Sequence, residues 1–265
     1  FWLRQDAKDS VTLTIADTSG RLVRTIKASG KAGVNRVMWD LRTERTREAK
    51  LRAANPYAPE QKYPPEGKSA PGVGRFAMLV PPGTYTVTLR GAGVEERRSL
   101  VVRKDPASGG SEEEIRRQVT LAADIMADID ATVDMINALE AARAQVTTLK
   151  ATLADDSTLA DVRTAGDSLA RKLQDVEELL FQVKTTGRGQ DDVRWPYRLA
   201  EQLLYLAGSV TSSDYAPTGQ ALEVHGVLKE QLRQARRRYD AVMGRDLDAF
   251  RDLLRRRNVR NALVS

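Results

Sequence analysis

The stretch that decides the fold is residues 111–153, SEEEIRRQVTLAADIMADIDATVDMINALEAARAQVTTLKATL. Its apolar residues fall at Ile115, Val119, Ala122, Met126, Ile129, Val133 and Ile136, with gaps alternating between four and three, and continue less strictly through Leu139, Val146, Leu149 and Leu153. That spacing lays one apolar stripe along an α-helix. Neither Pro nor Gly interrupts it. At ~1.5 Å rise per residue the helix would be roughly 60 Å long. A helix of that length draws its stability from other helices packed on its stripe. Ser111 and Glu114 spell a capping box at its start, and the run Glu112–Glu114 suits the positive end of the helix dipole.

Working downstream, Asp155-Asp156-Ser157 closes this helix and caps a second. The second carries Leu159, Val162, Gly166, Leu169, Leu173, Val176, Leu180 and Val183, again in threes and fours, a seam for a partner helix. Gly166 on that seam would let a neighbouring backbone approach, and Gly187-Arg-Gly189 closes the helix. A third opens at Trp195-Pro196 and presents Tyr197, Ala200, Leu203, Leu204, Ala207 and Val210. After the break at Tyr215–Gly219, a fourth carries Leu222, His225, Leu228, Leu232, Ala235, Tyr239 and Val242. Gly244 weakens it before a last short segment with Leu247, Phe250, Leu253 and Leu254. The expected helices therefore lie near 112–154, 158–185, 196–212, 218–243 and 246–257. Together they give an antiparallel up-down four-helix bundle over residues 111–265.

Working upstream, the periodicity changes from helix to strand. Val11–Ile15 alternates apolar and polar, Asp17-Thr-Ser-Gly20 is a turn, and Leu22, Val23 and Ile26 mark a return strand. Val34–Leu41 reads as a third strand with Trp39 as a core anchor, and Arg75–Val80 as a fourth. Pro81-Pro82-Gly83 turns into Thr84–Arg90, Gly91–Gly93 turns again, and Val94–Val102 is the last strand before Asp105-Pro106. Short strands at this spacing suggest an immunoglobulin-like antiparallel β-sandwich over residues 1–106, joined to the bundle by a linker at 107–110. The fold class expected is thus α+β in two domains. Residues 42–74 lose periodicity and carry Pro56, Pro59, Pro64, Pro65 and Pro71 with Tyr57 and Tyr63 between them. A loop this long is either functional or mobile. Its composition suits an extended segment laid over a surface, or a disordered insertion. Tyr57, Pro59, Tyr63, Pro64 and Pro65 are the candidate partner contacts.

Three stretches also carry a resemblance. Residues 11–25 (Val-Thr-Leu-Thr-Ile-x-Asp-x-x-Gly-x-Leu-Val-Arg-Thr), 32–42 (Ala-Gly-Val-Asn-Arg-Val-x-Trp-Asp-Leu-Arg) and 81–89 (Pro-Pro-Gly-Thr-Tyr-Thr-Val-Thr-Leu) are similar to the immunoglobulin-like domain of the flagellar hook-cap type. They resemble still more the version near the C-terminus of large secreted bacterial proteins with sortilin-like, neuraminidase-type repeat β-propellers. Residues 195–214, opening Trp-Pro-Tyr-Arg-Leu-Ala, and 216–224, Ala-Pro-Thr-Gly-Gln-Ala-Leu-Glu-Val, resemble the end region of the same proteins. The resemblance implies a periplasmic or secreted bacterial protein that contacts a propeller or a larger envelope assembly. It also admits an extrinsic subunit of a membrane-bound complex, of electron-transfer or photosynthetic type, or an accessory domain of a glycosidase-like or peptidase-like parent. The repeats that carry recognition in such proteins are absent, so it brings no site residue with it.

Composition narrows the classes. The 265 residues contain no Cys, which excludes disulfides, thiol catalysis and Cys-based zinc sites. No apolar run reaches membrane-spanning length. The start at Phe1 reads as that of a mature or internal fragment. Residues 1–106 hold 20 Lys/Arg and 11 Asp/Glu, leaving 22 and 25 to the remainder. The positive charge at the end, Arg236–Arg238 and Arg255–Arg257, reads as a solvated helix face in view of the interspersed Asp240, Asp246, Asp248 and Asp252. The competing reading is a nucleic-acid or anionic-lipid surface.

Catalytic patterns are missing. His225 is the sole histidine, too few for a His-based metal cluster, and reads as a satisfied structural residue. The pairs Asp155/Asp156, Glu177/Glu178 and Asp191/Asp192 read as caps and solvated surface, since adjacent helical residues do not face each other. Asp124, Asp128 and Asp134 lack the Glu-x-x-His partners of a di-metal bundle. Gly72-Val-Gly74 and Gly187-Arg-Gly189 lack the Lys-Ser/Thr of a phosphate loop. The expectation is a non-catalytic structural or protein-interaction module with no cofactor, no metal and no nucleic-acid partner.

Overall fold

The computed structural model describes residues 1–186 and 190–259, with the side chains of 191 and 192 also left undescribed. Along these residues run β1 (Trp2–Leu3), β2 (Val11–Ala16), β3 (Leu22–Ala28), β4 (Gly33–Val34), β5 (Glu48–Leu51), β6 (Lys68–Gly74), β7 (Gly83–Gly91) and β8 (Val94–Val102). They are followed by α1 (Glu112–Thr152), a 3-10 turn (Ser157–Leu159), α2 (Ala160–Leu180), α3 (Asp191–Arg194), α4 (Leu199–Val210), α5 (Gly219–Ala241), a π-helical turn (Val242–Asp246) and α6 (Leu247–Arg256). All strand pairings are antiparallel, and the protein is α+β. The expected closure of the second helix at Gly187–Gly189 and the side chains of Asp191/Asp192 lie outside the described residues.

The chain divides into two compact units that do not follow its linear order. The first holds Phe1–Arg45, Phe76–Ala123 and Ser209–Thr218, the second Thr46–Arg75, Asp124–Gly208 and Gly219–Ser265. Residues 107–110 fall inside the first unit, where Cβ atoms added at Gly109 and Gly110 would strike Tyr215 and Asp214.

The first unit is built on a sheet of order β3-β2-β7-β8. The alternation in Val11–Ile15 sends Val11, Leu13 and Ile15 to one face and Thr12 and Thr14 to the other, where Thr14 stands between Thr25 and Thr88. The apolar face collects Ile15, Val23, Val80 and Tyr85, with Ile26, Trp39, Val87 and Val102 packed around them. Tyr85 hydroxyl donates to the Pro81 carbonyl at 2.6 Å. The turn after β2 forms as expected: Gly20 takes φ +83°, and Asp17 Oδ1 accepts from the Ser19 and Arg21 amides.

Two expected strands are not ladders. Of Val34–Leu41 only Val34 pairs, within the two-residue β4, and Arg75–Val80 contributes just a Leu79 bridge to Arg42. These segments cover the sheet as irregular chain, held at Thr43 N to Met78 O (3.0 Å) and Val80 N to Leu41 O (2.8 Å). The apolar residues Met78 and Val80 produced the strand-like pattern because they are buried there. Trp39 anchors this cover from a half-buried position, edge-on to Tyr85 at 5.8 Å, its Nε1 donating to the Arg42 carbonyl.

The helix pattern is realised with a wider buried face than the stripe. Its capping box closes reciprocally: Ser111 Oγ accepts from Glu114 N at 3.2 Å and Glu114 Oε2 from Ser111 N at 2.8 Å. In the second unit Ile129, Val133, Ile136, Leu139, Val146 and Leu149 of α1 are buried, and so are Thr132, Met135, Glu140 and Arg143. Of that extra set, Glu140 and Arg143 are hydrogen-bonded to residues 46–75. Within the expected loop, residues 42–74, Glu48–Leu51 and Lys68–Gly74 form the β5–β6 ladder, closed where Gly74 takes φ +78° and an added Cβ would strike the Arg47 carbonyl.

Elsewhere in the second unit, α2 packs on α5 and α6. A Cβ added at Gly166 would meet side chains, Lys150 at 3.1 Å and Val146 at 3.5 Å, in place of the expected backbone. At the expected break around Gly244 the helix instead continues through the π-helical turn, where Asp246 accepts from Lys172 at 2.7 Å. The third helix starts at Leu199 and not at Trp195-Pro196, because Glu201 Oε2 accepts from Arg198 N at 3.0 Å and fixes the first turn there. No helix among the described residues is long and apolar enough to cross a membrane.

Candidate interaction surface and its buried support

The Pro-rich segment is tied to α1 by side chains on one side of that helix. Asp130 Oδ1 accepts from Arg47 N (2.6 Å), Asn137 Oδ1 from Lys50 N (2.8 Å), and Glu140 Oε2 from Arg52 N and Ala53 N (2.5 and 2.8 Å). Asn137 Nδ2 returns a bond to the Glu48 carbonyl at 3.1 Å. The match is one of pitch. From residue 47 to residue 52 extended chain advances five steps, about 17 Å at ~3.3 Å each. From residue 130 to residue 140 the helix advances ten steps, about 15 Å at ~1.5 Å each. One edge of β5 is thus satisfied by β6 and the other by polar side chains of a helix.

Beneath this tether lies a buried ionic cluster. Arg143 Nη2 donates to Glu140 Oε1 at 2.6 Å and lies 2.9 Å from Glu177 Oε2; Arg143 Nε donates to Glu177 Oε1 at 3.2 Å, and Nη1 to the Ala54 carbonyl at 2.9 Å. Glu177 is 0 %, Glu140 1 % and Arg143 7 % exposed. Burial pushes the Glu177 carboxyl up to about 8, with Arg143 opposing and Glu140 adding to the rise. Expected as solvated surface, Glu177 is a core residue: four residues after Leu173 and three before Leu180, it shares their face of α2 while Glu178 points away. The adjoining cavity, lined by Asn55, Tyr63, Glu140, Arg143 and Phe181 among others, measures about 10 Å³. That is space for about one water and no substrate.

The segment held in this way presents part of the expected contact set. Tyr57 is exposed, with its hydroxyl 3.5 Å from Glu178 Oε1, and Pro59, Pro64 and Pro65 are exposed as well. Tyr63 is half-buried, its hydroxyl donating to Gln61 Oε1 at 3.0 Å, and burial raises its pKa. Asn55 anchors the stretch, its Nδ2 donating to the Val183 carbonyl at 2.8 Å.

Sequence reasoning did not find the neighbours of Tyr57. Lys184 Nζ sits over the Tyr57 ring at 5.0 Å and over the Trp195 ring at 4.5 Å, a cation held between two exposed aromatics. Nearby in sequence, Tyr197 and Tyr205 line an open groove of about 300 Å³ with Pro71, Gly72, Thr185, Glu201 and Leu204. Tyr205 is 73 % exposed. The available signal was its register: Tyr205 falls off the Leu203–Ala207 spacing of the buried side.

The remaining candidates resolve locally. His225 is buried, its Nε2 2.8 Å from Asp128 Oδ2, which Lys229 approaches at 3.8 Å. Asp134 pairs with Arg47, and Asp156 caps the turn after α1 by accepting from Thr158 N at 2.9 Å. Much of the C-terminal positive charge is met by neighbouring acids: Arg233 and Arg237 by Glu230, Arg251 by Asp248, Arg255 by Asp252 and Arg257 by Asp161. No group of three or more metal-ligating side chains exists among the described residues. Compared with known proteins, the chain matches no family model, no curated protein and no solved structure.

Proposed function

We propose that this chain is a non-catalytic protein-interaction module that braces or docks a larger protein or assembly at the bacterial cell envelope. The observation that carries the reading is the Tyr57–Lys184–Trp195 stack. It presents aromatic surface, the residue class enriched at binding hot spots, on a segment pinned by Glu140 and Arg143 from below. A surface ordered before binding loses less entropy when a partner arrives. The finer architecture we propose is an immunoglobulin-like sandwich built on the first unit's sheet and an up-down four-helix bundle built on α1, α2, α4 and α5. The Tyr85 hydroxyl bonded back to the Pro81 carbonyl supports the former, being the arrangement of a tyrosine corner. The extracytoplasmic placement is supported by the resemblance of residues 11–25, 32–42, 81–89, 195–214 and 216–224. The test is affinity capture from detergent-solubilised bacterial envelopes with the native chain and with Trp195→Ala/Tyr205→Ala. One stoichiometric protein, lost with the double variant, is the expected result. Equal capture by both, or a solitary native chain, refutes the reading.

A further inference from the structure

The sheet of the first unit ends in two unlike edges. The β3 edge is occupied: the Val23 carbonyl accepts from Glu44 N at 2.8 Å, and Thr25 N donates to Glu44 Oε1 at 2.6 Å. The β8 edge is open. Its nine residues pair with β7 without a register shift, contain no Pro, and are exposed from Val94 to Val101. Among the described residues, its backbone bonds to nothing beyond β7 except one of its own arginines. A long, unpaired edge without a bulge is a template for another strand.

The hairpin fixes what that edge offers. Ala92 and Gly93 have φ +52° and +77°, the type I′ turn of a two-residue loop. The flanking Gly91 and Val94 are then a hydrogen-bonded pair, so Val94, Glu96, Arg98 and Leu100 bond inward to β7. Glu95, Arg97, Ser99 and Val101 turn their N–H and C=O outward. The Arg97 carbonyl indeed accepts from Arg98 Nη1 at 3.1 Å and not from β7.

Two such edges can pair antiparallel about a two-fold axis only if residues of the same face stand opposite each other. Centred on Arg97, the sequence Val94-Glu-Glu-Arg-Arg-Ser-Leu100 is self-complementary. Glu96 faces Arg98 of the second copy and Arg98 faces its Glu96, while Val94 faces Leu100 at both ends. These are the close, non-hydrogen-bonded positions, with Cα atoms ~4.5 Å apart. Glu96 and Arg98 already lie 3.4 Å apart within one strand, so the dimer closes an alternating ring of four charges. Centring on Glu96 would instead oppose Glu96 to itself and Val94 to Arg98. The cost of the Arg97 register is one Arg97–Arg97 approach on the axis, where each guanidinium keeps its own Glu95 at 2.7 Å.

We propose that the partner of the β8 edge is a second copy of this chain, the two strands pairing antiparallel about Arg97 into one eight-stranded sheet. Seven residues a side bury less than a standard interface, so the dimer is reversible and concentration-dependent. The experiment is sedimentation velocity of the full chain from about 5 µM to about 500 µM, a range that brackets micromolar association. The measurement is repeated for Glu96→Arg, for Arg98→Glu, for their equimolar mixture and for Arg97→Thr, with circular dichroism confirming the fold of each. The native chain should shift from monomer to dimer with concentration. Each single charge reversal should weaken the dimer by about tenfold or more. The mixture should restore it, because a Glu96→Arg chain is complementary to an Arg98→Glu chain. Arg97→Thr should tighten it. A native monomer throughout, a dimer indifferent to both reversals, or a mixture no better than its components overturns the proposal.

Discussion

Two carboxyls and one guanidinium share the interior around Arg143, so the cluster is electrically balanced only while one carboxyl keeps its proton. Glu140 Oε2 accepts from two backbone amides, those of Arg52 and Ala53. Glu177 has no such donors; its Oε2 makes no hydrogen bond among the described residues, and burial pushes the group up to about 8. Because the folded value lies above the ordinary glutamate value of 4.5, protonated Glu177 contributes stability that is fully present below pH ~4.5 and is lost as the pH rises through about 8. At about 1.4 kcal/mol per pH unit the loss across that window is at most roughly 5 kcal/mol. That is comparable with the whole stability of an ordinary domain.

Glu177→Gln keeps the shape and has no proton to give up. The stability difference between Glu177→Gln and the native chain should therefore grow in the variant's favour from pH 5 to pH 8, by up to ~1.4 kcal/mol per unit, and level off above. Urea unfolding followed by circular dichroism at matched ionic strength, from pH 5 to 9, measures it. Taking the difference removes groups common to both proteins. Glu201, raised by burial, acts in the same direction, and Glu48, held at about 2 first by Lys50 and then by Ser69, matters only as pH falls from 4.5 towards 2. A difference independent of pH would mean that Glu177 is ionised throughout, and the account of the cluster would be wrong.

Arg143→Met leaves two buried carboxyls facing each other and frees the Ala54 carbonyl; it should cost about 3–5 kcal/mol in urea unfolding and speed tryptic cleavage at Lys62 and Lys68. Gly74→Ala meets both a positive φ and the Arg47 carbonyl, and a loss of about 1–3 kcal/mol is expected, with a lowered melting temperature as the readout. Tyr85→Phe removes the bond to the Pro81 carbonyl while keeping the ring in the core. A loss near 1 kcal/mol should follow, and an unchanged melting temperature would show that the bond contributes nothing net.

How much of this was legible in the chain depended on what kind of contact built it. The α1 stripe, the Ser111 capping box and the Val11–Ile15 alternation were readable because each rests on residues close in sequence. The strands expected at Val34–Leu41 and Arg75–Val80 failed for the converse reason. An apolar residue lying over a sheet and one paired within it leave the same mark, so burial of Met78 and Val80 imitated a ladder. Glu177 was misplaced because its partner Arg143 lies 34 positions away. Adjacent carboxylates look alike until the opposite helix is known, although the place of Glu177 between Leu173 and Leu180 was visible.

The same reasoning explains why the segment 46–75 belongs with the helices and not with the sheet. A buried strand leaves no edge of unpaired backbone groups. β6 supplies one edge of β5, and Asp130, Asn137 and Glu140 supply the other. On a helix read by apolar periodicity, those three residues count only as interruptions of the stripe, and so as solvent face. They are acceptors spaced to the advance of a strand, and they bury a segment whose own composition predicts a loop. The Pro residues at 56, 59, 64 and 65 fit this arrangement. They fall in the stretch between β5 and β6, where neither ladder edge needs their missing N–H, and leave Tyr57 exposed over Lys184. What composition marked as unstructured is therefore ordered from beneath. Its anchor from beneath, Arg143, holds the Ala54 carbonyl and the fully buried Glu177 together.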